Sequence, residues 1–133
     1  MFNVTIDLET AASSKNAKIL SIGAVVFNPT IVDSMESIRV AADKNFFYRV
    51  CDLGSQHGDF SIDASTFYWW MRQPQKAREA IQESPVSLRR ALSEFSIWYK
   101  QFLPPPEDST TKPSLPTYSY GATFDHVILQ HAY

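Results

Sequence analysis

A chain of 133 residues, 44% hydrophobic and 20% charged, is long enough to bury one core and too ordinary in composition for a disordered or fibrous protein. Its formal charge of −2 argues against broad electrostatic binding along phosphate backbones, although an acidic site built to hold metal ions would give the same balance. Cys51 stands alone, which excludes an internal disulfide and a cysteine metal knuckle. It reads as a small buried apolar residue of an intracellular, cytoplasmic protein. No secretory leader is expected, because Asp7 interrupts the only apolar candidate, and no membrane association, because the longest apolar run, Ile22 to Phe27, is far too short to cross a bilayer.

Residues 3–8 predict a strand with Val4, Ile6 and Leu8 on one face and Thr5, Asp7 and Glu9 on the other. A small, polar loop follows from Ala11 to Asn16. Residues 18–27 are β-branched and continuously apolar before the Asn28-Pro29 stop, the pattern of a strand buried on both faces. Phe46 to Val50 is a third strand. With no helical period between them, the three form an antiparallel meander.

The period then changes. Asp63 or Ser61 can cap a helix through Thr66-Phe67-Tyr68-Trp69-Trp70-Met71 that breaks before Pro74, and a second short helix covers Gln75 to Gln82. Over 87–102, the residues Leu88, Ala91, Leu92, Phe95, Trp98, Tyr99 and Phe102 fall at the spacing of a core-facing stripe, with Ser87 as N-cap. Six of the twelve basic residues (Arg72, Lys76, Arg78, Arg89, Arg90, Lys100) lie between 72 and 100 and read as solvated helix faces. Residues 104–116 hold five prolines and form a connector inside one domain spanning 1–133. A strand at 116–121, a turn at Gly121 and a helix from Phe124 to Tyr133 complete the order.

Asp7 and Glu9, two apart in a strand, point the same way about 7 Å apart. Neighbouring carboxylates repel unless cations neutralise them, and oxygen-only ligands suit Mg²⁺ or Mn²⁺. Taken alone, the simpler account places Glu9 in the loop with both acids solvated.

The surrounding residues point further. Asp7-Leu8-Glu9-Thr10 followed by Ile19-Leu20-Ser21-Ile22-Gly23-Ala24-Val25 resembles the first motif of the DEDD (DnaQ-like) 3′→5′ exonuclease superfamily, and Gly121-Ala122-Thr123-Phe124-Asp125 resembles the second. Thr66-Phe67-Tyr68-Trp69-Trp70 with Gln73 resembles the helix of the ribonuclease-T-like branch, which includes phage and prophage exodeoxyribonuclease VIII-like members. The resemblance leaves uncovered the 30–44 region and the proline loop.

This resemblance implies an α/β, ribonuclease-H-like mixed sheet of three antiparallel strands and then a parallel strand, flanked by helices. The 116–121 strand would lie beside the 3–8 strand and bring Asp125 near Asp7. It implies a phosphodiesterase with a two-metal Mg²⁺ or Mn²⁺ site. Asp7, Glu9 and Asp125 would be its catalytic residues and metal ligands. Leu8 and Thr10 would meet the terminal nucleotide of a nucleic-acid 3′ end, DNA or RNA. Trp70 would pack inward and Trp69 would stack on a base. The family also has a later Asp preceded by a His or Tyr general base. No Asp follows Asp125 here, and His126 and His131, on the second-motif helix, read as structural or surface residues. A chain that stops before that element would leave the 116–121 edge open and self-associate into a homo-oligomer.

Two alternatives compete. A catalytically inactive prophage remnant on the same fold would act as a nucleic-acid or protein binding module. A phosphoacceptor receiver domain would use Asp52 and Lys100, but it needs helices between the strands that residues 18–50 do not offer.

Overall fold

The computed structural model describes residues 1–30, 45–106, 108 and 110–133, so nearly all of the uncovered 30–44 region lies outside the described residues. Three strands come first: β1 (Asn3–Thr10), β2 (Ile19–Phe27) and β3 (Phe46–Val50). Helices α1 (Ala64–Met71), α2 (Gln75–Ala80) and α3 (Leu88–Lys100) follow, then β4 (Thr117–Tyr118) and α4 (Ala122–Ala132). The sheet order is β3-β2-β1-β4, with β1–β2 and β2–β3 antiparallel and β4 parallel to β1. This is the mixed α/β sheet expected of a ribonuclease-H-like fold.

The alternation in β1 makes its two faces different environments. Val4, Ile6 and Leu8 are at most 6% exposed and join one core with Leu88, Ala91, Leu92 and Phe95 of α3, and with Ile128 and Leu129 of α4. Phe47 of β3 meets Phe95 edge to face at 5.3 Å, which fixes α3 across the sheet. Ser87 caps α3 by accepting from the Arg90 amide, as its position before the stripe predicts. Cys51 is buried, and burial pushes its thiol up to about 12, which leaves it unreactive.

β2 departs from the expectation of burial on both faces. Ile19 to Ile22 are all buried, but from Gly23 onward buried and half-buried residues alternate. There the second face of the sheet opens into a cavity instead of packing on a helix. Between Glu9 and Thr10 the register shifts, so that Thr10 pairs with Ile19 and Leu20 is left over.

The start of β2 is held by a side chain. Gln56, 2% exposed, accepts from the Ile19 amide at 2.8 Å and donates to the Ile19 carbonyl at 2.8 Å. One amide group thus replaces a neighbouring strand.

Asp63, not Ser61, caps α1. Its carboxylate accepts from the Thr66 amide at 2.7 Å and from the Ser13 amide at 2.9 Å, tying the loop after β1 to the helix. These bonds hold its carboxyl well below the usual carboxylate range. Helix α2 ends at Ala80, two residues short of the expected Gln82.

β4 is two residues long rather than spanning 116–121, and Tyr120 is fully exposed. Pro116 has no amide to donate and contributes only its carbonyl, which accepts from the Val4 amide at 2.9 Å. Gly121, at φ 85, then turns the chain into α4 through a conformation that side chains disfavour. An edge this short offers few unpaired groups to another chain. The proline connector is anchored at its far end, where buried Leu115 donates its amide to the Tyr99 hydroxyl at 2.9 Å.

Among the described residues no helix is long and apolar enough to cross a membrane.

Candidate functional site

Glu9 lies within β1, not in the loop beyond it. Thr5, Asp7 and Glu9 therefore stand on the face opposite the core, and the register sets their neighbours. Asp7 is opposite Gly23, and Gly23 opposite Tyr48; Thr5 is opposite Val25, and Val25 opposite Phe46. Gly23 leaves a low floor between the acid on one strand and the tyrosine two strands away. A cavity of about 580 Å³ lies over this floor, walled on its far side by Trp69 and Trp70 of α1, by Gln73 just beyond that helix and by Ile81 after α2.

Asp125 arrives from the opposite end of the chain. Pairing of β4 with β1 and the turn at Gly121 start α4 beside β1, and the first turn of α4 presents Asp125 to the Leu8 amide at 3.4 Å. Asp125 is 4% exposed, and burial raises its pKa, with the charge of Asp7 adding to the rise and the Leu8 amide opposing it. Glu9 is raised too, first by burial and then by the charges of Asp7 and Asp125. The three carboxylates named from the sequence thus lie close enough to act on one another.

The donor set is all oxygen, which fits a hard divalent cation. The fit is chemical rather than preformed. Among the described residues no three His, Cys, Asp or Glu side chains meet as a metal-binding cluster. An ion here would take few protein ligands and complete its shell with water, as Mg²⁺ commonly does.

Leu8, Thr10 and Trp69 line one further cavity, of about 430 Å³, together with Glu9, Ser65 and Phe124. The Thr10 hydroxyl is committed to the Ala12 carbonyl at 2.9 Å, so Thr10 offers the cavity a wall rather than a free donor. Trp69 is 51% exposed and stands edge to face on Trp70 at 4.9 Å. Trp70 is half-buried and donates its indole N–H to the Thr10 carbonyl at 2.9 Å. Glu9 and both tryptophans border the two cavities.

Neither His126 nor His131 lines either of these two cavities. His131 meets the Asp59 carbonyl at 2.7 Å and the Phe60 ring edge at 5.2 Å, a structural role. His126 has a buried Nε2 without a partner among the described residues and lines a separate, largely apolar cavity of about 490 Å³ between α3 and α4. Asp52 caps the turn Leu53–Ser55, and Lys100 borders the α3–α4 cavity, so the receiver alternative loses both of its residues.

The sequence did not single out Phe46 and Tyr48 as site residues. The available signal was their spacing: two aromatics two apart in a strand, with Phe47 between them pointing to the core.

A family model described as the 3′-5′ exoribonuclease Rv2179c-like domain matches residues 2–133. No curated protein matches the chain.

Proposed function

The chain belongs to the Rv2179c-like 3′-5′ exoribonuclease family, and on that premise we propose that it is a divalent-metal-dependent exonuclease that removes nucleotides from the 3′ end of single-stranded RNA. The observation that supports this is that Asp125, from the far end of the sequence, reaches the Leu8 amide between Asp7 and Glu9, and that Glu9 and Trp69 border two neighbouring cavities. Asp7 and Glu9 would hold Mg²⁺ or Mn²⁺, with Asp125 as a further ligand from α4. When bound, such ions supply an activated water and positive charge for the leaving 3′ oxygen. The protein's own share is placement. Trp69 stacks on the terminal base, the Leu8–Thr10 backbone borders its sugar, and Trp70 fixes that backbone through the Thr10 carbonyl. The Phe67-Tyr68-Trp69-Trp70 run with Gln73 supports placing the chain near the ribonuclease-T-like branch.

The test is a 5′-labelled single-stranded oligoribonucleotide incubated with Mn²⁺ or with EDTA, beside its DNA counterpart. The expected result is a ladder shortening from the 3′ end that requires metal, favours RNA and disappears in Asp7→Asn combined with Asp125→Asn. Cleavage that survives EDTA or the double substitution overturns the assignment. Metal-dependent binding without any shortening would instead favour the non-catalytic module.

A further inference from the structure

Phe46 and Tyr48 form an aromatic surface that core packing does not explain. Their rings lie nearly parallel, 8° apart, with centroids separated by 6.1 Å. They are 54% and 37% exposed, whereas Phe47 between them is 5% exposed in the core. Both stand on the same sheet face as Asp7 and border the same cavity as Trp69.

The charges around this cavity say what it would receive. Asp7 and Glu9 are the only charged side chains in its lining among the described residues, and no lysine or arginine faces it. Among the described residues the lining therefore offers phosphate no basic side chain, and phosphate contact here falls to the cations that Asp7 and Glu9 would hold. A nucleobase would meet aromatic rings, the open floor at Gly23 and a partly apolar wall from Trp69 to Ile81. Stacking on such surfaces tolerates any base, because every base has a π-face.

We propose that the Phe46–Tyr48 pair is a second base-binding subsite, which stacks the penultimate base of the substrate while the terminal base occupies the cavity bounded by Leu8, Thr10 and Trp69. The subsite rests on the exonuclease reading above. It makes a single-stranded end of at least two nucleotides the preferred substrate, since a base still paired in a duplex is not free to enter the cavity. The two bases then lie on either side of the Glu9–Trp69 boundary, and the bond between them falls at the carboxylates.

The experiment measures binding of 5′-fluorescein-labelled oligouridylate tetramers to the full chain by anisotropy, with Ca²⁺ replacing Mn²⁺ to hold hydrolysis back. One tetramer is intact and another is abasic at the penultimate position. In the unsubstituted protein the abasic tetramer should bind roughly ten-fold more weakly. In Phe46→Ala with Tyr48→Ala that difference should vanish, because the partner of the missing base is already gone. Phe46→Tyr with Tyr48→Phe, which keeps both rings, should restore it. A merely structural role for the pair would weaken both tetramers alike and leave their ratio unchanged, and that result overturns the subsite while the exonuclease reading stands. Failure of the unsubstituted protein to bind any tetramer would sink the exonuclease reading and the subsite with it.

Discussion

Helices α1 and α3 are both rich in aromatic residues, and the fold treats them in opposite ways. In α3, Phe95, Trp98 and Tyr99, with Phe102 just beyond, fall three and four residues apart, so one stripe faces the sheet and Leu88, Ala91, Leu92 and Phe95 are buried. In α1, Phe67, Tyr68, Trp69 and Trp70 are consecutive, so their side chains point around the helix about 100° apart and cannot share a core. No residue of α1 is buried. Spacing, rather than aromatic content, separates a helix that holds the fold together from one that holds a surface over a site.

The largest effect should come from the core side of that contrast. Phe95→Ala removes the ring that packs on Phe47 and Trp98, and should lower unfolding free energy by about 3–4 kcal/mol in urea titration. A loss below about 1 kcal/mol would mean that α3 does not anchor the sheet.

Trp70 is the one α1 aromatic tied to the sheet, and should fall between the extremes. Trp70→Phe keeps an aromatic ring, though a smaller one, and leaves the Thr10 carbonyl without its donor, costing about 1 kcal/mol in the same titration. A cost as large as that of Phe95→Ala would erase the distinction between the helices.

The acid beside α1 should go the other way. Glu9 has a raised pKa, so the folded state binds its proton more tightly than the unfolded one. The stability it contributes is full below the ordinary carboxylate range and is lost as pH rises through its raised value. In metal-free protein at pH 7, Glu9→Gln should therefore raise Tm by about 1–2 °C, and the gain should shrink as pH falls into the carboxylate range. A substitution that lowers Tm at pH 7 would refute the charge crowding described for the site.

Trp69→Ala should have the smallest effect on stability, within about 0.5 kcal/mol, because the ring is half in water. If the binding assay shows no change either, α1 has no role at the site.

Much of this architecture was legible because it follows period and punctuation. The alternation in residues 3–8, the stripe from Leu88 to Phe102 and the caps at Asp63 and Ser87 each have a local physical cause, and each sits where the sequence places it. Asp7, Glu9 and Asp125 were legible as a set only through motif resemblance. Nothing local in Asp125 says that a two-residue parallel strand will bring it to the Leu8 amide across 117 positions. The length of β4 was misread because tyrosines favour strands, while Pro116 and Gly121 limit how far this one can pair. The half-open face of β2 was misread because a continuous apolar run looks the same whether its second face meets a helix or a cavity. Gln56 gave no sign at all. A lone glutamine in a turn carries no period, and its burial is decided by the backbone it happens to reach.

That glutamine has a consequence for how the molecule breathes. The Ile19 amide is held by a side chain instead of a strand, so its protection from hydrogen exchange depends on a single residue 37 positions away. Gln56→Glu would keep the acceptor for that amide but lose the donor to the Ile19 carbonyl and bury a charge, and Gln56→Leu would strand both groups. In either variant the first turnover of deuterium should appear at the entrance to β2, ahead of Val4 and Val26, which lie deep in the sheet. The strand would fray from the end next to the register shift at Glu9, so slackness that begins in a distant turn would reach the carboxylates first.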